Sequence, residues 1–455
     1  MDGTSRLPEG VAKLGKAFMG RLIGPGDLEY EEARRVHNGL IDRRPAIIAR
    51  CRGTADVVDA IAFARSEGLE IAVRGGGHNV AGRAVVDGGL VVDLSLMRGV
   101  HVDPRARRAR AQGGATWREF DRETQAHGLA TTGGSVSSTG IAGLTLGGGL
   151  GWLMGRCGLT VDNLVSAEVV TADGRILTAS AEEHPDLFWA LRGGGGNFGV
   201  VASFEYELHP IGPTVTGGFV AHPLDRARDL LRFYRELTAR VPDEMTVYAG
   251  LLHGPDGSKL AAIVICHCGS LADGAAAAAR IRSFAPPALD IMGPITYCEQ
   301  NMLLDAAFPK GALSYWTSSF VADLSDDAID TVVDGFARAR SPMSQIVFEH
   351  LHGRAAAVPV AATAFPHRRN GFNMLVLAQW SSPADTEREI RWVRDTRAAM
   401  APYWDEARYG NYQSEDGAAA AIYGPNYARL REVKAAYDPG NVFHLNQNIE
   451  PAVRA

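Results

Sequence analysis

Apolar residues in the first 210 positions come in short runs broken by glycine. Residues 46–52 (AIIARCR) predict a strand. Residues 55–67 (ADVVDAIAFARSE) carry apolar side chains at helical spacing, with Thr54 as the N-cap and Gly68 as the stop. Residues 70–74 predict a short strand that runs into GGGHN, and residues 89–94 predict another. Residues 99–103 and 107–112 predict a hairpin around Asp103-Pro104, and 116–127 a helix ended by Gly128. A second hairpin is predicted over 161–172 and 174–179, then a short helix over 184–191. RGGGGNFG leads from that helix into the strand VVASFEYELHP.

The texture changes after Pro210, Gly212 and Pro213. Strands are predicted at 215–220, 246–252, 260–267, 314–321, 345–351 and 372–380, and helices at 224–239, 270–284, 326–339 and 384–399. The pattern predicts an α+β chain whose second part is a mostly antiparallel sheet covered by helices.

At about 150 residues per domain, 455 residues fit two or three domains. The net charge is −6, and the one basic cluster, Arg105 to Arg110, alternates with alanine. That argues for a solvated strand end and against a nucleic-acid partner. No apolar run approaches the roughly 20 residues that cross a bilayer. The five cysteines, Cys51, Cys157, Cys266, Cys268 and Cys298, are odd in number and irregularly spaced, so no disulfide framework is expected. The N-terminal stretch lacks the apolar core and cleavage site of a secretory signal, and a cytoplasmic location is expected. Monomer and homodimer both stay open.

Many of the 52 glycines gather at 75–77, 82, 88–89, 113–114, 133–134, 140–151 and 193–199. Glycine collects where backbone turns sharply or approaches a ligand. The GxGxxG match at Gly194–Gly199 has a helix before it and a strand after it, the reverse of a dinucleotide fingerprint. No GxxxxGK[ST] and no GxSxG occurs. Cys266-His267-Cys268 lacks further ligands, so no metal is expected. The strong signal is Arg74-Gly75-Gly76-Gly77-His78-Asn79, a strand delivering three glycines whose N–H groups can converge on one anion. By the residues alone, this predicts a phosphate-containing cofactor in the first half. Thr132 to Leu153 would form its other wall.

RGGGHN, GGSVSSTGIAGLTLGGGLGWL, GLTVDNL, FWALRGGGGNFGVV and YARLREVKAAYDPGNVFHLNQNI follow one another in order, with FPHR at 365–368. Over about residues 40–450 this resembles the berberine-bridge-enzyme-like branch of the vanillyl-alcohol-oxidase-type FAD-linked oxidases. The resemblance implies a two-subdomain FAD-binding domain over 1–210, completed by 415–455. It implies a substrate domain over 211–414. It implies FAD bonded through the ring of His78. Arg74, Gly75, Gly76, Gly77, Asn79, Gly82, Ser137, Gly140, Gly143, Gly147, Gly148, Asp162, Asn163, Asn446 and Asn448 are the other cofactor-binding candidates. Doubly linked members carry a cysteine eleven residues before the GGG run; here that residue is Val136. A single linkage is therefore expected, with Cys157 a packing residue.

Members of the branch often use a tyrosine base in an NY segment, which Asn411-Tyr412 matches. A free phenol titrates at about 10, so it needs activation. Gln345, Val347 and Glu349 share one strand face. Hydroxynicotine-type amine oxidases of the branch use lysine and glutamates in that region. Gln345 in place of the lysine therefore favours a hydroxyl over an amine. The resemblance implies an oxidase that moves hydride from a hydroxyl-bearing carbon of a sugar, alcohol or secondary metabolite to flavin, then to oxygen. A dehydrogenase with another acceptor, an amine oxidase, a ring-forming oxidase and a binding module without turnover are the alternatives.

Overall fold

The computed structural model describes Leu14 and residues 18–415, 417 and 419–453. Apart from Leu14 and Phe18, the stretch read for a secretory signal lies outside the described residues. The first sheet holds β1 (Arg21–Ile23), β2 (Ile47–Arg50), β3 (Ile71–Arg74) and β4 (Leu90–Asp93) in the order β1-β2-β4-β3. β4 lies between β2 and β3, parallel to both. All four residues of β4 (LVVD) are buried, as strands covered on both faces require.

The second sheet is antiparallel. It holds β5 (Val100–Asp103), β6 (Arg108–Gln112), β8 (Leu164–Val170), β9 (Ile176–Ser180) and β10 (Val200–Glu207) in the order β5-β6-β10-β8-β9. The short β7 (Leu129–Ala130) and β11 (His209–Pro210) pair separately. Val57, Ala60 and Ile61 of the helix Thr54–Ser66 share one core with Ile47 and Leu90 of the first sheet and Val170 and Val200 of the second. Thr54 is not the cap. The helix already includes it, Gly53 is the N-cap, and the Thr54 hydroxyl donates to Glu168 of β8 at 2.6 Å. Asp56 serves the helix start instead, accepting from the amides of Met19 and Arg52, each at 2.8 Å.

The third sheet has β12 (Thr214–Pro223), β13 (Met245–His253), β14 (Lys259–His267), β15 (Leu289–Asp290), β16 (Gly293–Thr296), β17 (Leu313–Val321), β18 (Gln345–Leu351) and β19 (Gly371–Trp380). Its order is β15-β12-β14-β13-β18-β19-β17, with β16 also on β12, and every pairing is antiparallel. The helices Ala227–Thr238, Leu271–Arg282, Asp326–Ala337 and Thr386–Met400 cover one face. Period-two alternation sends Val247, Ala249, Ile346, Phe348, Met374 and Val376 into the core beneath them. The alternate residues, Tyr248, Gly250, Val347, Glu349 and Leu375, are left facing the glycine loops. The α+β class and the helix-covered antiparallel sheet are thus as the sequence predicts.

None of the five cysteines is in a disulfide. Among the described residues, no helix is long and apolar enough to cross a membrane, and no cluster of three or more His, Cys, Asp or Glu could hold a metal ion.

The C-terminal segment returns to the first half of the chain. Lys434, fully buried on the helix Tyr427–Tyr437, donates to Asp438 at 2.6 Å and to the carbonyls of Asn197 and Phe443. Asp438 also accepts from the amides of Val442 and Phe443, so the chain turns around one buried ion pair. Burial lowers the Lys434 pKa, and the Asp438 carboxylate opposes that shift. Lys434→Met leaves a buried carboxylate unpaired, which costs about 3–5 kcal/mol. The expected result is a lower urea midpoint, partly restored in Lys434→Met/Asp438→Leu. An unchanged midpoint in the single variant would refute the assignment.

Candidate active site

β3 ends at Arg74, whose guanidinium is fixed by Asp93 at 2.6 Å and by the carbonyl of Ala33. The chain then enters Gly75–Gly77, and Gly77 has φ +68°, the left-handed region that glycine tolerates. A Cβ on Gly76 would lie 2.4 Å from the amide nitrogen of Gly140, and one on Gly140 would lie 2.3 Å from that of Gly76. The two glycine tracts therefore meet backbone to backbone. Just beyond this contact, Nε2 of His78 lies 2.9 Å from Oγ of Ser138. The other side of the imidazole stacks on His37, with centroids 3.8 Å apart. Desolvation, with help from His37 and Lys310, holds the His78 pKa down at about 3. The ring is neutral at physiological pH.

These loops form one wall of a cavity of about 800 Å³, and the uncovered face of the third sheet forms the other. That volume is in the range of a cofactor site. A Cβ on Gly143 would meet nothing within 4 Å, so the wall there is bare backbone facing space. The glycine wall, the cavity and the His78 ring fit an FAD, which residues 75–79 and 140–147 would hold.

Twelve sequence candidates line this cavity: Gly75, Gly76, Gly77, His78, Asn79, Gly140, Gly143, Gly147, Gln345, Glu349, Tyr412 and Asn446. The others do not reach it. Arg74 braces the strand end as described. Gly82 (φ +71°) and Gly148 (φ +119°) turn the chain beside Ile41 and Phe365. Ser137 bonds Asp305 through its amide and hydroxyl, and it is the neighbouring Ser138 that meets His78. Asp162 is paired at 2.7 Å with both terminal nitrogens of buried Arg368, the arginine of FPHR. Asn163 donates to the carbonyls of Cys157 and Leu159 and meets His209. Asn448 lies outside the wall. Cys157 is buried in an apolar cluster that raises its pKa, as a packing residue would be. Val136 lines the cavity.

On the sheet side, Oη of Tyr412 donates to Oε1 of Glu349 at 3.1 Å, and Nδ2 of Asn373 donates to Oε2 at 2.7 Å. Burial raises the Glu349 pKa to about 7, against the two hydrogen bonds that lower it. Tyr412 is raised well above 10 by burial and by the Glu349 charge. The tyrosine alone is therefore not activated, and the carboxylate is the group poised to take a proton near neutrality. Tyr409 packs edge-on against Tyr412 at 4.8 Å and accepts from Asn411 and the amide of Gly149.

Sequence reading missed Ser138, His37, Asn373 and Tyr409. Asn373 carried a signal, as a polar residue inside the apolar run FNMLVLAQW. His37 carried none. The inverted Gly194–Gly199 motif has a structural task. Asn197 within it donates to the carbonyls of Gly194 and Gln447 and accepts from the amide of Ile449. That docking brings Asn446 and Gln447 of the tail into the cavity wall.

Comparison with known proteins gives the same picture. Residues 45–180 match the family described as FAD binding domain, and residues 408–450 the family described as berberine and berberine like. The chain is 32% identical to (R)-6-hydroxynicotine oxidase of Paenarthrobacter nicotinovorans, covering 96% of this chain and 97% of the relative. The crystal structure of 6-hydroxy-D-nicotine oxidase from Arthrobacter nicotinovorans superposes with a TM-score of 0.88 at 30% identity, covering 96% of this chain and 99% of that one. BBE-like 1 of Physcomitrella patens shares the fold, with a TM-score of 0.89 at 23% identity over 98% and 99% of the two chains. Such likeness along nearly the whole length, with the FAD-domain match over the glycine loops and the berberine-like match over the docked tail, means that the chain belongs to the berberine-bridge-enzyme-like FAD-linked oxidoreductases.

Proposed function

We propose that this enzyme oxidises a hydroxyl-bearing carbon of a small organic molecule, with FAD attached once, through His78, and oxygen as the electron acceptor. In this reading residues 1–210 and 415–455 hold the cofactor, and 211–414 cover the substrate. The observation that carries it is the Tyr412–Glu349 hydrogen bond in the same cavity as His78.

FAD, when bound, supplies the two-electron acceptor. The protein supplies proton transfer and position. The substrate hydroxyl donates to the Tyr412 oxygen. As hydride leaves the carbon, the hydroxyl proton passes to that oxygen and the Tyr412 proton passes to Glu349. The phenol is thus neutral before and after the step, which suits its raised pKa. Asn373 holds the carboxylate in line. His78 fits attachment because its neutral ring keeps a nucleophilic nitrogen.

Amine oxidation is the second reading, and the hydroxynicotine oxidase relative favours it. Gln345 stands against it, because no lysine occupies the strand that carries Glu349. Flavin bleaching by alcohols but not by the matching amines separates the two. Reoxidation by oxygen at least as fast as by dyes separates an oxidase from a dehydrogenase.

Acid precipitation should leave a yellow pellet for the wild type and a colourless one for His78→Ala. Peptide mapping should find flavin on the His78 peptide alone. Colour that washes out of the wild type, or flavin on Cys157, would refute the attachment proposed.

Loss of a positioned proton acceptor slows a reaction about 10²–10⁴-fold. Tyr412→Phe and Glu349→Gln should each lower the stopped-flow rate of flavin reduction by that factor while keeping bound flavin. The carboxylate, not the carboxylic acid, accepts the proton. The wild-type rate should therefore rise with pH through about 7, and Glu349→Gln should remove that limb. A wild-type pH profile surviving in Glu349→Gln would place the proton acceptor elsewhere.

A further inference from the structure

The floor of the cavity on the substrate side is written in the strand register. Tyr248 pairs with Glu349 and Glu349 with Asn373, which makes one polar row. The adjacent row on the same face is apolar and low: Ala262 pairs with Gly250, Gly250 with Val347, and Val347 with Leu375. Beyond it lie Leu260, Leu252 and Gln345, and then exposed Pro255, where the cavity meets solvent. The rows therefore run from the Tyr412–Glu349 pair outward along an apolar shelf.

Gly250 is the lowest point of that shelf, and its backbone does not demand glycine. Its φ lies outside the left-handed region. A Cβ there would meet only Cδ2 of Leu252 at 3.5 Å and the carbonyl of Ile346 at 3.9 Å, both ordinary contacts. The missing side chain leaves room on the cavity side alone. Strands lie about 4.8 Å apart, so Ala262, Gly250 and Val347 form a trough about 10 Å across. The aromatic rings of Phe219 and Trp316 line the cavity from strands on either side of it.

The four residues of the shelf, Ala262, Gly250, Val347 and Leu375, offer no side-chain donor, acceptor or charge, and the polar groups at its border are few: the Gln345 amide beside Val347 and Nε1 of Trp316. A sugar laid on it would bury several hydroxyls without partners, each at a cost. A flat hydrocarbon ring would bury apolar area against apolar area. We propose that this shelf holds the ring body of the substrate, that the substrate is an apolar aromatic or fused-ring alcohol rather than a sugar, and that Gly250 sets the size of ring accepted. The proposal rests on the hydroxyl-oxidation reading for which group reacts, but not for where the ring lies.

The test is a titration of the FAD-loaded enzyme with 2-naphthalenemethanol, benzyl alcohol and glucose. Dissociation constants come from perturbation of the flavin absorbance, and turnover is read separately as bleaching. Naphthalenemethanol should bind more tightly than glucose. Gly250→Leu should weaken naphthalenemethanol about tenfold or more, as a pocket rejects surplus methylenes. Benzyl alcohol should lose less, and flavin content should stay unchanged. Val347→Phe fills the same trough from the neighbouring strand and should act alike, so the test does not depend on one variant folding. Glucose binding as tightly as naphthalenemethanol, or naphthalenemethanol affinity untouched by both variants, would overturn the proposal. Tight naphthalenemethanol binding, sensitive to Gly250→Leu but without bleaching, would support the shelf and reject the hydroxyl-oxidation reading instead.

Discussion

The contact between Gly76 and Gly140 is the constraint from which the cofactor side of the molecule follows. Two loops far apart in sequence can lie backbone against backbone only where neither bears a side chain. His78 lies two residues after one of these glycines, and Ser138 two residues before the other. Bringing the glycines together therefore sets the imidazole beside the hydroxyl with little further adjustment. Replacing either glycine would displace one tract from the other and pull His78 away from Ser138. The same contact leaves bare backbone facing the cavity at Gly143, while at Gly147 the Asn411 side chain takes the place a Cβ would fill.

The opposite wall follows from simple alternation. Once Ile346 and Phe348 are committed to the core beneath the helices, Gln345, Val347 and Glu349 must face the other way. A carboxylate is thus driven into a nearly dry space, and burial outweighs its hydrogen bonds from Asn373 and Tyr412. The same burial that frustrates ionisation of Tyr412 raises the Glu349 pKa to about 7. One strand supplies both the hydrophobic packing and a carboxyl group with a raised pKa.

Much of this was legible in the sequence. The strands and helices of the third sheet announce themselves by period, and RGGGHN by its unusual composition. The shared face of Gln345 and Glu349 could be read from spacing alone. What escaped were relations between distant segments. Ser137 and Ser138 are equivalent to any reading of local pattern, and only the docking of the loop decides which one meets His78. Asp162 looked like a cofactor ligand because it sits in a family motif, yet its charge is matched by Arg368 from another motif. Thr54 looked like a cap, yet its hydroxyl is drawn to Glu168 across a sheet boundary. His37 has no local signature, because its side chain acts as a ring against another ring, brought there by backbone bonds to Gly77 and Gly311.

The tail that turns around Lys434 and Asp438 also sets an order of assembly. The wall that begins at Gly75 is finished by Asn446 and Gln447, so the cofactor cleft is complete only once this segment has docked. Closing so long a loop is slow compared with forming local helices and hairpins. Completion of the cofactor cleft is therefore expected late in folding. A polypeptide cut short before Asn446 lacks part of the surface that lines the cofactor cleft.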